Sequence, residues 1–149
     1  MSGQAVSIWR DAVAGFDPLL AALWSVAALL AAFVLALAAL RGPARGGAIY
    51  TITLLAAALL AGSGLMSLFG PARSIVLPLG LPWLGAHYHL DALSSAFLVI
   101  VNVSVASAAL FAIGYGRHEH APKRVVPFFP LFAAGMNLVV LADDAFSFL

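Results

Sequence analysis

The feature that most constrains this chain is the spacing of its charges. Seven basic and six acidic side chains gather at Arg10-Asp11, Asp17, Arg41 and Arg45, Arg73, Asp91, the segment Arg117–Arg124, and Asp143-Asp144. The runs between these points carry no charge at all. A helix needs about 20 apolar residues to cross a hydrocarbon layer of about 30 Å, and several of these runs are that long. Soluble domains carry about a quarter charged residues; here 9% are charged, 64% are apolar, and mean hydropathy is +1.07. The pattern predicts an all-α integral membrane protein. A net charge of +1 gives no basic surface for nucleic acid. The absence of cysteine excludes disulfides and thiolate metal sites, and neither a GxGxxG nor a P-loop signature is present.

Four spans and the opening of a fifth follow. Residues 1–17 form an N-terminal tail and 18–149 the membrane domain. The first span, Pro18–Leu40, has Ser25 as its only polar member from Leu19 onward, and its length, roughly 33 Å at helical rise, suffices to cross. Its rival reading is a cleaved signal peptide, since Ala36-Leu37-Ala38 resembles a cleavage box. The run is too long for such an apolar region, and no basic segment directly precedes it. Arg41–Gly47 reads as a polar turn, and Ala48–Phe69 as the second span. Within it, Gly62-Ser63-Gly64 either admits a neighbouring helix at close range or marks a weak point.

Gly70–Leu90 is apolar but broken by Pro71, Pro78, Gly80, Pro82 and Gly85, a density that forbids a helix. Extended arms at Ser74–Leu77 and Ala86–Leu90 around a Pro/Gly turn predict a hairpin-like element between the second and third helices. Trp83 and Tyr88 suit a headgroup layer. Asp91–Tyr115 is the third span, with Asp91 as its N-cap. Gly116–Arg124 is a polar loop, and Val125–Ala142 a fourth span of about 27 Å, with Pro127 in its first turn and Pro130 bending its start. Asp143-Asp144 turns into Ala145–Leu149, an incomplete fifth span. One side of the membrane receives Arg41, Arg45, Arg117, Lys123 and Arg124, the other Arg10 and Arg73. That bias predicts cytoplasmic basic loops and an extracytoplasmic N-terminus.

Three constellations could carry chemistry. In the third span Asp91, Ser95 and Asn102 fall within about 40° of one another on a helical wheel, and Ala106 and Ala109 extend the stripe. It lines a hydrated path or, on the favoured reading, packs against other helices. His87-Tyr88-His89 and His118-Glu119-His120 place imidazoles two apart, sharing one face if extended. Neither pair has a third ligand at a familiar spacing, so solvated loop residues are the preferred reading. Asn137, deep in the fourth span, is expected to hydrogen-bond between helices. Asp143-Asp144 attracts cations or, more simply, forms a polar turn favoured by the next helix's dipole. Ion-coupled membrane proteins place ionisable groups inside spans, and these spans contain none. No catalytic, cofactor-binding or metal-ligating residue is assigned, and no cofactor or soluble small-molecule substrate is expected.

Leu90-Asp91-Ala92-Leu93-Ser94, with the apolar span ending Gly114-Tyr115, resembles the N-terminal module of the antiporter-like subunits of respiratory complex I and related hydrogenases. Gly116-Arg117-His118-Glu119-His120, Pro127-Phe128-Phe129, and Gly135-Met136-Asn137 through Asp143-Asp144-Ala145-Phe146-Ser147-Phe148 look most like hydrogenase-4 component B, a member of that family. The likeness covers roughly residues 81–149; before that only the layout agrees. It implies a proton-translocating membrane subunit of an oxidoreductase complex in the bacterial inner membrane, with no redox chemistry of its own. Its partners would be the bilayer and the other hydrogenase or complex I-like subunits. The family's proton path uses a buried glutamate in the fifth helix and lysines in later helices, and no such residue maps onto this chain. The expectation is therefore an N-terminal fragment lacking the relay. A free-standing four-span scaffold or assembly protein is the alternative, and a small multidrug-type exporter a minor one.

Overall fold

The computed structural model describes residues 17–39, 44–77, 86–115 and 126–143. The expectations for the N-terminal tail up to residue 16, the segments 40–43, 78–85 (with Trp83) and 116–125 (with His118 and His120), and the fifth span lie outside these residues. The described elements are helix α1 (Pro18–Ala39), helix α2 (Ala44–Ser67), strands β1 (Arg73–Leu77) and β2 (Ala86–Leu90), helix α3 (Ala92–Tyr115) and helix α4 (Phe128–Leu141).

Helix α1 starts where Pro18 presets a helical backbone and Asp17 caps it, its Oδ1 accepting the Leu19 N–H at 3.0 Å. The Ala- and Leu-rich run that follows has high helix propensity. Together, α1, α2 and α3 are long and apolar enough to cross a membrane. Several of their polar side chains are short hydroxyls that turn back onto their own helix. Ser25 donates to the Ala21 carbonyl at 2.8 Å, Thr53 to Ile49 at 2.9 Å, Ser63 to Leu59 at 2.8 Å and Ser104 to Ile100 at 2.9 Å. A hydroxyl satisfied this way loses little on leaving water.

Helix α2 ends at Ser67, two residues before the expected Phe69, and two boundaries differ by more. Helix α2 begins at Ala44, four residues before the expected Ala48. Ala and Arg are good helix formers, and the two following glycines cost only about 1 kcal/mol each. Gly47 is already inside the helix, its carbonyl accepting the Thr51 hydroxyl at 2.9 Å. Helix α4 is shorter than the 18-residue span expected at 125–142: it has 14 residues, roughly 21 Å at helical rise. At its start Pro127 is the N-cap, and Pro130 falls in the first turn, where a missing N–H costs nothing, so no bend is required. At its end Ala142 leaves helical geometry (φ −67°, ψ 128°) to bridge Tyr88.

The helices form a ring in which α1 neighbours α2 and α4, and α3 neighbours α2 and α4. Leu29, Ala57, Leu60, Leu98, Ala133 and Leu141 are wholly buried at its centre. Large apolar side chains, among them Trp24, Leu55, Phe97 and Phe111, cover the outside. The buried polar residues are Ser25, Thr53, Ser63, Ser67, Ser95, Asn102 and Asn137. A ring that turns its bulky hydrocarbon outward and buries its amides suits a lipid surrounding.

The hairpin-like expectation is met within one residue. β1 and β2 pair antiparallel in the register Arg73↔Leu90, Ile75↔Tyr88 and Leu77↔Ala86. This ribbon covers one end of the ring, touching α1 through β1 and touching α3 and α4 through β2.

Candidate functional site

The residues singled out in the sequence converge on the face of α3 that looks into the ring. Ser95, Leu98, Asn102, Val105 and Ala109 are its buried residues, which places most of the predicted stripe inward. Asp91 heads it. Its Oδ1 accepts the Ser94 N–H at 2.7 Å and the Ser94 hydroxyl at 2.8 Å, while its own N–H donates to Ser94 Oγ at 2.9 Å. This is a reciprocal capping box. The Ser94 N–H first, then the Ser94 hydroxyl, stabilise the carboxylate, and the nearby His89 adds to them; together they hold its pKa below the usual value despite a small opposing cost of burial. Asp91 is thus an ionised cap at the helix end.

Two turns below Ser95, Asn102 meets Asn137 of α4. Asn102 Nδ2 donates both to Asn137 Oδ1 and to the Leu98 carbonyl, the latter at 2.8 Å. Asn137 Nδ2 answers symmetrically, donating to Asn102 Oδ1 at 3.2 Å and to the Ala133 carbonyl at 2.8 Å. Both side chains are fully buried. Each amide has two N–H donors, and all four are used. The expected interhelical role of Asn137 is therefore present, with Asn102 as its partner. The sequence marked each residue alone; 35 positions separate them, and nothing local links the two.

The close-approach reading of Gly62-Ser63-Gly64 resolves onto a single glycine. A Cβ on Gly64 would lie 2.9 Å from the Ser95 carbonyl oxygen and 3.0 Å from Val99 Cγ2, whereas one on Gly62 would meet nothing within 4 Å. Gly64 lets α2 press directly against the α3 backbone. Ser67, one turn further along α2, is buried there too. The sequence reading passed over it, although its spacing of four from Ser63 was the available signal.

At the ribbon end, Arg73 Nη1 pairs with Asp17 Oδ1 at 3.2 Å, and the Asp143 N–H donates to the His87 carbonyl at 3.1 Å. His89, Asp91, Ser94, Phe97, Val140 and Asp143 line a shallow depression of about 240 Å³. His87 and His89 do lie on one strand, half-buried. Among the described residues no group of three or more His, Asp or Glu side chains is placed to hold a metal ion. Tyr88 is partly buried and packs against the core. Of the five basic residues that set the expected orientation, Arg41, Arg117, Lys123 and Arg124 lie outside the described residues.

Chemically, the arrangement provides an ionised cap at one end and a closed amide pair at depth. Between residues 46 and 115 the α2 and α3 helices carry no carboxylate, imidazole or amine, and α1 and α4 carry none along their length. Among the described residues, such an interior fixes helices against one another.

No family model matches the chain. Over 88 residues it is 36% identical to two proteins of Mycobacterium tuberculosis, "Uncharacterized protein MT0090" of strain CDC 1551 / Oshkosh and "Uncharacterized protein Rv0083" of strain ATCC 25618 / H37Rv. The match takes in 59% of this chain and 14% of each relative, so the chain spans only a small part of the length of these relatives.

Proposed function

We propose that this chain is the N-terminal membrane portion of a proton-translocating, antiporter-like subunit of the complex I or hydrogenase-4 component B kind, and that it serves there as a packing module without a relay. The observation that carries the packing role is the closed amide pair: the two deepest polar side chains spend every donor on each other and on their own helices. The residue runs around Asp91 and through Pro127–Asp143 support the family reading.

On this reading α4 completes a fourth span. The chain lies in a bacterial inner membrane with its ribbon end outside, and the five basic residues of the 41–45 and 117–124 segments face the cytoplasm. The chain has no native cysteine, so a single cysteine at the exposed Ser74 of β1 reports orientation cleanly. An impermeant maleimide applied to intact cells should label it.

Affinity purification of the tagged chain from its native membrane tests the function. Recovery of hydrogenase-like or quinone-oxidoreductase-like subunits is the expected result. A monodisperse protein free of such subunits would favour the second reading, a free-standing scaffold or assembly protein. That reading draws on the absence of Asp, Glu, His, Lys and Arg from residues 18–39, 46–67, 92–115 and 128–141.

A further inference from the structure

The hydroxyls of this bundle divide into two groups. Ser25, Thr51, Thr53, Ser63, Ser104 and Ser107 each donate to the carbonyl four residues earlier, and Ser94 closes the Asp91 cap. Ser67 and Ser95 do neither. Their Oγ atoms are buried with no hydrogen-bond partner in the protein, at residue exposures of 4% and 0%. Leaving such a group unsatisfied costs about 1–3 kcal/mol, and where lipid replaces water the cost is not relieved from outside.

Both orphans belong to the same crossing. Gly64 brings α2 against the Ser95 backbone, and Ser67 follows Gly64 by one turn on the buried side of α2. Ser67 is the last residue of α2, and Ser95 is the fourth of α3, so the crossing lies within about 5 Å of the ribbon end of α3. It is one helical turn from the ionised Asp91, whose carbonyl accepts the Ser95 N–H at 2.9 Å.

We propose that Ser67 and Ser95 together hold one buried water molecule at the α2–α3 crossing. Buried waters make about three hydrogen bonds to groups that would otherwise be unsatisfied, and two hydroxyls can each donate to or accept from one. A cation is a poor fit, because hard cations gather six or more oxygen ligands, usually with carboxylates among them, and the orphaned groups are two neutral hydroxyls. The polar stripe of α3 is then wet at Ser95 and dry at Asn102, where the amide pair closes it. This inference stands apart from the assignment to an oxidoreductase complex.

A double-mutant cycle on the full chain in detergent tests it. Ser67→Ala and Ser95→Ala should each lower the melting midpoint by about 2–4 °C, and the double variant should fall no further than either single one. Unchanged or raised midpoints would overturn the proposal, since removing an unsatisfied hydroxyl is neutral or helpful. Additive losses would equally rule out a shared water. A second readout is an infrared O–H band that shifts between ordinary and oxygen-18 water. It should be present in the parent and lost in both single variants; its presence in either would overturn the shared site.

Discussion

Helix α3 is held on its two sides by opposite means. Against α4 it uses side chains, the reciprocal Asn102–Asn137 amides. Against α2 it uses the absence of one, Gly64, and the two backbones close to contact distance. The amide contact is directional and exhausts its own polar capacity. The glycine contact is gained through dispersion over a long crossing and leaves two hydroxyls without protein partners. In a bilayer, where the hydrophobic effect does not drive helices together, these are the two principal sources of association. This chain separates them onto two faces of one helix.

The largest expected effect is at the glycine. Gly64→Val would drive a branched side chain into the Ser95 carbonyl and cost about 3 kcal/mol, the upper part of the overpacking range. Gly62→Ala, facing open space, should be neutral or slightly stabilising because it removes backbone freedom from the unfolded chain. Thermal unfolding in detergent reads both, and equal effects at the two glycines would erase the distinction between the faces.

The amide side should respond differently. Asn102→Leu or Asn137→Leu alone strands a buried amide, at about 1–3 kcal/mol. The double Leu variant should lose much less than the sum, since both partners are then apolar. Additive losses would mean that the two amides act independently.

Asp91→Ala removes the cap of α3 and should cost roughly 1 kcal/mol. Its depressed pKa fixes the sign of the pH dependence. The carboxylate's contribution is complete above the ordinary Asp value of 3.8 and is lost as pH falls through the lower folded value. Unfolding below pH 4 should therefore be less pH-dependent in Asp91→Asn than in the parent. The smallest effect belongs to Arg73→Ala. Its half-exposed ion pair with Asp17 is worth about 0.2–1 kcal/mol and should fade with added salt.

Much of this was legible from the chain because it is local. The spacing of charges located α1–α3, proline density located the ribbon, and Asp91 marked a helix start. The wheel positions of Ser95 and Asn102 turned the right face inward. What escaped depended on distant partners. The bridge between Tyr88 and Ala142 is one such contact. The opening of α2 was misread because Gly46 and Gly47 look like a turn when judged by propensity alone. The amide pair, the contact of Gly64 with Ser95 and the orphaned Ser67 exist only once three helices are assembled.

The two ends of the bundle are joined by contacts of different kinds. At its end the chain is stitched by directional bonds, Arg73 to Asp17, Tyr88 to Ala142 and Asp143 to His87. Towards the other end α4 meets its neighbours through rings, with Phe33 against Phe128 at 6.4 Å and Tyr50 edge-on to Phe129 at 5.6 Å. Ring contacts tolerate sliding that a hydrogen bond does not. Among the described residues, the contacts at the ribbon end are thus directional, and those of α4 at the far end are packing contacts between rings.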